Sequence, residues 1–278
     1  MRNRTLACAA HNLRRLMASP RNWALLILAV LCFDRYIAPI RALMVDEGIT
    51  IGWPALMVFL LNDSWLTVLA GLGLLVLLFD LPMADEAQKY LLIRSGRGAW
   101  ARGQIVYILL ATAIYMLVLG VLVLLWILPW IDWTWGWSDT IMRFVDGAYE
   151  VYDSMLDYDP WLISSYSMLS AFGIQVALHF ICFATLAVVM AFFNSLVGNR
   201  AGFLFAMGPL MADTVMTEFF GVHVWYFSPV TLTRLSCLDY GDGMMRPSVG
   251  YAFVFLTAWL VLFILSFLRL HRRKEIRL

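Results

Sequence analysis

The stretch IVYILLATAIYMLVLGVLVLLWILPW, residues 105–130, contains no charged side chain. A helix that crosses a bilayer needs roughly 20 mostly apolar residues, and this run exceeds that length. Over the whole chain of 278 residues, 62% are apolar, 14% are charged and the mean hydropathy is +0.79. Soluble domains carry about 25% charged residues. The composition therefore excludes a water-soluble globule and predicts an all-α integral membrane protein.

Similar apolar runs flank this stretch on both sides. We expect about six transmembrane helices in a single membrane domain spanning residues 1–278. The spans are predicted at residues 23–40, 65–83, 105–130, 167–197, 201–222 and 249–268. A further run, Ile49–Leu61, is too short to cross by itself. It could lie in the interface, re-enter, or extend the second helix outward.

The basic residues predict the orientation of these spans. Lys and Arg concentrate in cytoplasmic segments close to the membrane. Fifteen of the 20 Lys and Arg residues fall on the side of the two termini. These are Arg2, Arg4, Arg14, Arg15, Arg21, Lys89, Arg94, Arg97, Arg102, Arg200, Arg269, Arg272, Arg273, Lys274 and Arg277. We therefore predict that both termini are cytoplasmic, which requires an even number of spans.

The basic N-terminal segment has the pattern of an amphipathic interfacial helix. Apolar residues recur at helical spacing, and Arg14 and Arg15 can reach lipid phosphates. The apolar residues are Leu6, Ala9, Ala10, Leu13 and Met17. The alternative is a basic flank that only fixes topology.

An acidic segment with many tryptophans lies between the third and fourth spans and is predicted to be external. Apolar residues at helical spacing in residues 138–155 predict a short amphipathic helix. One interpretation is a vestibule that attracts a cationic substrate or peptide. The other is a solvated loop that is acidic because basic residues are kept inside. The acidic residues include Asp139, Asp146, Glu150, Asp153, Asp157 and Asp159.

The segment between the fifth and sixth spans, residues 223–248, is too irregular to cross the membrane. Irregular backbone at membrane depth must be shielded from lipid. We therefore predict a re-entrant or interfacial hairpin that packs against protein.

A search for catalytic motifs finds no phosphate-binding loop of the GxxxxGK[ST] type, no HExxH and no GxSxG. Polar residues within predicted spans are the remaining candidates, because such residues are costly in a bilayer and often functional. Their spacing matches no metal-ligand pattern, so no catalytic residue and no metal site is predicted. The candidate substrate or pathway residues are Asp34, Arg35, His179, Asp213 and Glu218.

The stretch ADEAQKYLLIRSGRGAWARGQ, residues 84–104, lies between the second and third spans. Asp85 and Glu86 suit a helix N-terminus, and Ser95-Gly96 suits its end. So short a helix is unstable alone and needs a docking surface. Tyr90 and Leu91 are expected to enter a groove on a partner.

This pattern and the layout of the whole chain resemble the permease subunits of ABC-2-type ABC transporters. The matching residues are Glu86, Leu91-Leu92, Arg94, Ser95-Gly96 and Arg97, with Ser95 in place of the usual proline. The resemblance implies an ATPase-coupling helix that includes Asp85, Glu86, Tyr90, Leu91, Leu92, Arg94 and Arg97.

The resemblance also implies a function. Two permeases, as a homodimer or a heterodimer, would form an export pathway in the bacterial plasma membrane, in contact with lipids. Separate ABC ATPase subunits would bind ATP and Mg, while this chain would bind no cofactor or nucleic acid and catalyse no reaction.

Two alternatives belong to other classes of protein. An intramembrane enzyme could use His179, Asp213 and His223. A membrane scaffold or sensor could bind a ligand at the acidic external loop.

Overall fold

The computed structural model describes residues 4–83, 95–198, 201–219, 221–239, 241 and 243–273. Within these ranges the chain is built of helices, with one pair of two-residue strands. The helices are α1 (Arg4–Met17), α2 (Arg21–Glu47), α3 (Trp53–Asn62), α4 (Ser64–Leu77), α5 (Arg97–Ile127), α6 (Asp139–Arg143), α7 (Tyr149–Val151), α8 (Pro160–Ser165), α9 (Met168–Leu196), α10 (Ala201–Phe219), α11 (Val222–Trp225) and α12 (Val249–Arg273). Short 3-10 turns span Leu128–Trp130, Thr231–Thr233 and Leu235–Cys237, a π-helical turn spans Phe144–Ala148, and the strands are β1 (Ile51–Gly52) and β2 (Ile131–Asp132).

Four of these helices are long and apolar enough to cross a membrane: α2, α5 with the turn after it, α9 and α12. Helices α3 and α4 reach that standard only as a pair, and the pair is bent by 88°. The apolar part of α10, Ala201–Val215, is shorter than a full span. The chain is thus an all-α membrane protein, with four such helices, or five with the bent pair, among its described residues. The arrangement of six spans stays a prediction.

Several of the observed helices differ in length from the predicted spans: α5 begins at Arg97 and α12 ends at Arg273, and α4 and α2 also differ. Helix α4 ends at Leu77, well before residue 83, because the chain turns there and the N–H of Leu81 bonds to the carbonyl of Leu78. Helix α2 continues past Asp34 and residue 40 as far as Glu47. It continues because one face of its last turns is fully buried. That face comprises Ile37, Ile40, Leu43 and Met44.

Helix α1 packs along the start of α5 and buries Cys8, Ala9, Asn12 and Leu16. Gly103 of α5 allows this approach, because a Cβ there would lie 2.7 Å from the Cβ of Cys8. The predicted apolar stripe is therefore divided between two faces. Ala9 faces the protein, whereas Leu6, Ala10 and Met17 are exposed.

Residues 131–166 and the end of α2 form a compact body, the lobe, at the opposite end of the bundle from α1. Strand β1 pairs in parallel with β2, with Ile51 opposite Ile131, and the hydroxyl of Thr140 donates to the carbonyl of Thr50 at 2.6 Å. The predicted amphipathic helix is present but broken at Gly147, whose φ of 109° interrupts it. Its apolar face is the buried one, with Ile141 and Phe144 fully enclosed.

Helix α3, which the sequence left unassigned, is buried on nearly all sides beneath the lobe. The ring of Phe59 lies 5.0 Å from that of Tyr158 and 5.9 Å from that of Trp137. Protein therefore surrounds this short helix, and its abrupt turn into α4 is shielded as irregular backbone at membrane depth requires.

Helix α9 is the centre of the bundle and contacts α3, α4, α5, α10 and α12. It approaches α10 closely at Gly202, which lies against the backbone of α9. A Cβ at Gly202 would collide with the carbonyl oxygen of Met190 and lie 2.8 Å from the amide nitrogen of Asn194. The N–H of Gly202 also donates to Oδ1 of Asn194 at 2.8 Å.

We predict that Gly202→Ala destabilises the protein by about 1–3 kcal/mol, because the added methyl group must push the two helices apart. The measurement is the thermal unfolding midpoint of the purified protein in detergent. Gly173→Ala on α9 is the matched control, since a Cβ at Gly173 meets no atom within 4 Å and no proline follows it. That control should gain up to about 1 kcal/mol from helix propensity. Equal midpoints for the two variants would contradict the close approach.

Candidate functional site

A set of polar side chains lies inside the bundle where α3, α4, α9 and α10 meet the segment 226–248. We call this set the polar centre. It comprises Asn62, Thr67, Gln175, His179, Asp213, Ser228, Thr231, Thr233, Arg234 and Ser236, of which all but Ser236 are buried. His179 lies 11 residues into α9, which corresponds to about 16 Å along the helix axis. His179 is thus far from either end of α9.

One half of the polar centre is built around the carboxylate of Asp213. Its Oδ2 accepts from the guanidinium of Arg234 at 3.2 Å, and both side chains are almost completely enclosed. Its Oδ1 accepts from the hydroxyl of Ser228 at 2.7 Å and from the hydroxyl of Thr231. Three donors from one irregular segment therefore converge on a single carboxylate of α10.

The other half surrounds the imidazole of His179. Nδ1 lies 2.9 Å from the carbonyl oxygen of Gln175. Nε2 lies 3.3 Å from the hydroxyl of Thr67 and 3.3 Å from the hydroxyl of Thr233. One ring thus joins α9 to the start of α4 and to the segment 226–248.

A third contact closes the polar centre against the end of α3. Oδ1 of Asn62 accepts from the amide of Gln175 at 3.3 Å and from the backbone N–H of Ser236 at 3.0 Å. Asp63, the next residue, caps α4 by accepting from the N–H of Leu66 at 2.7 Å. The bend between α3 and α4 therefore presents Asn62 inward while Asp63 begins a new helix.

The segment predicted to be irregular at residues 223–248 is helical at its start, where α11 ends at Trp225, and its remainder, the segment 226–248, packs against protein. Val230, Leu232, Leu235 and Leu238 have no exposed surface. Its 3-10 turns place Thr231 toward Asp213 and Thr233 toward His179. Such short turns satisfy backbone groups locally, which suits a segment enclosed by apolar helices.

The structure brings together only part of the set of candidate residues. His179 and Asp213 belong to the same polar centre, linked through the 231–234 turn. His223 lies exposed on α11, so the described structure does not assemble the three residues of the enzyme alternative. The side chain of Glu218 lies outside the described residues. Arg35 pairs with Asp153 of the lobe at 3.6 Å, and Asp34 is exposed on α2, so neither belongs to the polar centre.

Sequence reasoning missed the most important member, Arg234, because only polar residues within the predicted spans were candidates and Arg234 lies between two of them. Two signals were available in the sequence. The TLTR motif, residues 231–234, places hydroxyls and a cation at close spacing within a segment of otherwise apolar residues. The segment was also predicted to be enclosed, and an enclosed Arg requires an anionic partner.

The acidic residues of the lobe serve mainly in local contacts at its surface. Asp159 caps α8 by accepting from the N–H of Trp161 at 2.9 Å, and Asp153 pairs with Arg35. Packing around its carboxylate, and then the nearby Asp159, raise the pKa of Asp157. Asp139, Asp146 and Glu150 are exposed. Within the described part of the chain no group of three or more His, Cys, Asp or Glu side chains has the geometry of a metal site.

A second feature lies at the end of the bundle that carries α1. Gln104 of α5 is fully buried and holds the backbone of Met83 at both atoms. Its Oε1 accepts from the N–H of Met83 at 3.3 Å, and its Nε2 donates to the carbonyl of Met83 at 3.2 Å. The thiol of Cys8 on α1 lies 3.7 Å from the hydroxyl of Ser95. The two described residues that flank residues 84–94 therefore contact neighbouring helices, Met83 through Gln104 of α5 and Ser95 through Cys8 of α1.

Most residues of the predicted coupling helix, Asp85, Glu86, Tyr90, Leu91, Leu92 and Arg94, lie outside the described residues. Arg97 is described, and it is the exposed first residue of α5. The residues just before this stretch also contact helices other than α5. The amide of Asn194 at the end of α9 donates to the carbonyl of Leu81 at 2.6 Å, and Arg21 pairs with Asp80 at 2.8 Å.

Comparison of the chain with protein-family models, with curated proteins and with solved structures finds no match.

We predict that Asp213→Asn lowers stability by about 3–5 kcal/mol, since it leaves the Arg234 guanidinium buried without its counter-charge. The double variant Asp213→Asn with Arg234→Gln removes both charges and should recover a large part of this loss. The measurement is a double-mutant cycle on thermal unfolding in detergent. Additive effects of the two single changes would show that the pair is not coupled.

Proposed function

We propose that this chain is the membrane-spanning permease subunit of an ATP-driven transporter of the ABC-2 type. In this proposal it forms the substrate pathway as a dimer, and it is an exporter in a bacterial plasma membrane with both termini cytoplasmic. ATP and Mg bind to a separate ATPase subunit that docks on the 84–94 stretch. The chain itself catalyses no reaction.

The observation that carries the proposal is the way the two ends of this stretch are fixed. Gln104 holds Met83 on one side, and Cys8 contacts Ser95 on the other. We call Cys8, Met83, Ser95 and Gln104 the base of the stretch. A force applied to residues 84–94 would therefore act on this base, which is held by α1 and α5, and not on two unattached connections. A coupling element requires such a base, because a flexible attachment would absorb the displacement.

Further contacts connect the base to the long apolar helices. Asn194 links Leu81 to the end of α9 and also accepts from Gly202 of α10. The rings of Trp100 and His271 lie 5.2 Å apart and join α5 to the end of α12. Displacement at the base would thus be passed to α9, α10 and α12, and α9 leads directly to the polar centre.

The polar centre suits a pathway better than it suits a catalytic site. Asp213 and Arg234 neutralise each other, and His179 is enclosed by hydroxyl and carbonyl groups. The enzyme alternative requires His223 beside these groups, and His223 is exposed on α11. The neutralised pair and the enclosed His179 are consistent with a pathway whose polar contacts change between the two access states of a transporter.

A sensor function would depend on ligand binding at the surface of the lobe. Its acidic residues are exposed, yet its body is held by apolar contacts such as the ring stacking of Phe144 on Tyr158 at 4.7 Å. A sensor would act without an ATPase partner, so the first experiment separates the two functions.

We predict that an ABC ATPase co-purifies with the protein from detergent extracts of its native host. The double variant Glu86→Lys with Leu91→Asp should release that subunit, because it reverses one charge and places another on the proposed docking surface. The measurement is the ratio of ATPase to permease in the eluate.

The matched control carries the same two kinds of change on the lobe, Asp146→Lys with Val151→Asp, where both side chains are exposed. It should retain the ATPase. If no ATPase accompanies the unchanged protein, or if the coupling variant retains it, the proposed function is wrong.

A further inference from the structure

The loop that follows α5 presents two tryptophan rings outward. Residues 131–137 read IDWTWGW, and we call them the Trp loop. Trp133 and Trp135 are 70% and 71% exposed, whereas Trp137 is half-buried and donates from Nε1 to the carbonyl of Tyr166 at 3.1 Å. Tryptophan is highly buried on average in folded proteins. Two rings exposed so close together in the chain therefore indicate a partner that covers them.

The Trp loop is held at the start of α3 and is not an unattached connection. Oδ1 of Asp132 accepts from the N–H of Thr134 at 2.9 Å, and Oδ2 accepts from its hydroxyl at 2.8 Å. Asp132 also lies opposite Gly52 in the strand pair, and Gly52 directly precedes α3. A Cβ at Gly52 would lie 3.7 Å from the carbonyl oxygen of Thr134 and 3.9 Å from that of Gly136. The backbone that carries the two exposed rings is therefore fixed on the body of the protein.

The lipid-facing surface of α5 leads directly to the Trp loop. α5 with the turn after it is long and apolar enough to cross a membrane. Exposed apolar side chains one helical turn apart form a stripe along it, and these are Leu117, Val121, Leu125 and Leu128. The stripe ends where the uncharged stretch 105–130 ends. A helix of that length exceeds the hydrocarbon core of about 30 Å, so the loop that follows it begins at the level of the lipid headgroups.

The chemistry of the loop suits that level of the bilayer. An indole ring has an apolar body and an N–H donor, and tryptophans concentrate where hydrocarbon meets the headgroups. The Trp loop contains no basic residue, and the carboxylate of its one acidic residue, Asp132, accepts from Thr134. Attraction to anionic lipids through charge is therefore absent from the loop. Protein interfaces also bury tryptophans, but the continuous stripe from α5 favours lipid.

We propose that Trp133 and Trp135 insert into the headgroup layer of the bilayer and anchor the lobe to the membrane surface. The partner is the lipid interface itself, bound through the rings and not through charge. The lobe then lies on the bilayer, with its anchor fixed to β1 and the start of α3. This inference is independent of the proposed function, because it requires neither an ATPase nor a cargo.

The test measures the surroundings of the two rings by fluorescence quenching. The full-length protein is reconstituted in nanodiscs of phosphatidylcholine, either plain or brominated on the acyl chains close to the headgroup. The chain has 12 tryptophans, so the signal of the two rings is the difference between the unchanged protein and Trp133→Phe with Trp135→Phe. Both positions are exposed and phenylalanine keeps an aromatic ring, so the double variant retains the fold.

We expect the brominated lipid to remove most of this difference signal, because bromine quenches only at contact range. Acrylamide, a quencher dissolved in water, should remove little of it. Raising the salt concentration should change neither result, since salt screens only interactions between charges.

The matched control places a tryptophan on another part of the lobe. Val151→Trp is introduced into the double phenylalanine variant, at a position that is 80% exposed and lies close in the chain to the exposed carboxylates of Glu150 and Asp153. This new ring should show the opposite pattern, with strong quenching by acrylamide and little by the brominated lipid.

Two results would overturn the proposal. One is a difference signal that acrylamide quenches and brominated lipid does not, which would place the two rings in water. The other is a signal that resists both quenchers, which would show that protein covers the rings, as in an interface with a second copy of the chain. Neither result bears on the co-purification of an ATPase, so failure here is distinguishable from failure of the proposed function.

Discussion

A buried carboxylate on α10 and a buried guanidinium on the segment 226–248 depend on each other, and much of the surrounding structure depends on both. Each charge depends on the other, because an unpaired buried ion costs several kcal/mol, a large fraction of the stability of a typical domain. With Arg234, Ser228 and Thr231 all directed at Asp213, the irregular segment has one anchor that fixes its course. From that anchor Thr233 reaches His179 and Ser236 reaches Asn62.

This arrangement solves a problem that lipid imposes. Backbone outside regular helices has polar groups that hydrocarbon cannot satisfy. The bend between α3 and α4 and the segment 226–248 are both irregular, and they lie against each other, with Asn62 bonded to Ser236. Each supplies part of the enclosure that the other needs, and the lobe covers α3 from the outside. The irregular parts of the molecule are therefore concentrated around one polar centre.

Helix α9 connects this centre to the base of the 84–94 stretch. It contributes Gln175 and His179 to the polar centre and bonds through Asn194 to Leu81, so both regions share one helix. A helix with five packed neighbours cannot bend easily, because interiors are close-packed. A displacement at one end of α9 would therefore shift its other end as well, or would make α9 slide against the helices that pack on it.

The sequence by itself determined the class of protein and much of its helical layout. Uninterrupted apolar runs such as residues 105–130 can only be helices in a membrane, since no other single segment satisfies its own backbone there. The enclosed, irregular character of the segment 226–248 and the apolar face of the helix at residues 138–155 also followed from local pattern. Local pattern could not decide the extension of α2 to Glu47, because Ile37 and Met44 are buried by residues of other elements, such as Leu56, Val123 and Phe144, that lie elsewhere in the chain. The pairing of Asp213 with Arg234 was equally inaccessible, as was the meeting of Thr67, His179 and Thr233. These contacts join residues from separate elements, and a contact of that kind is created by packing and leaves no periodicity in the sequence.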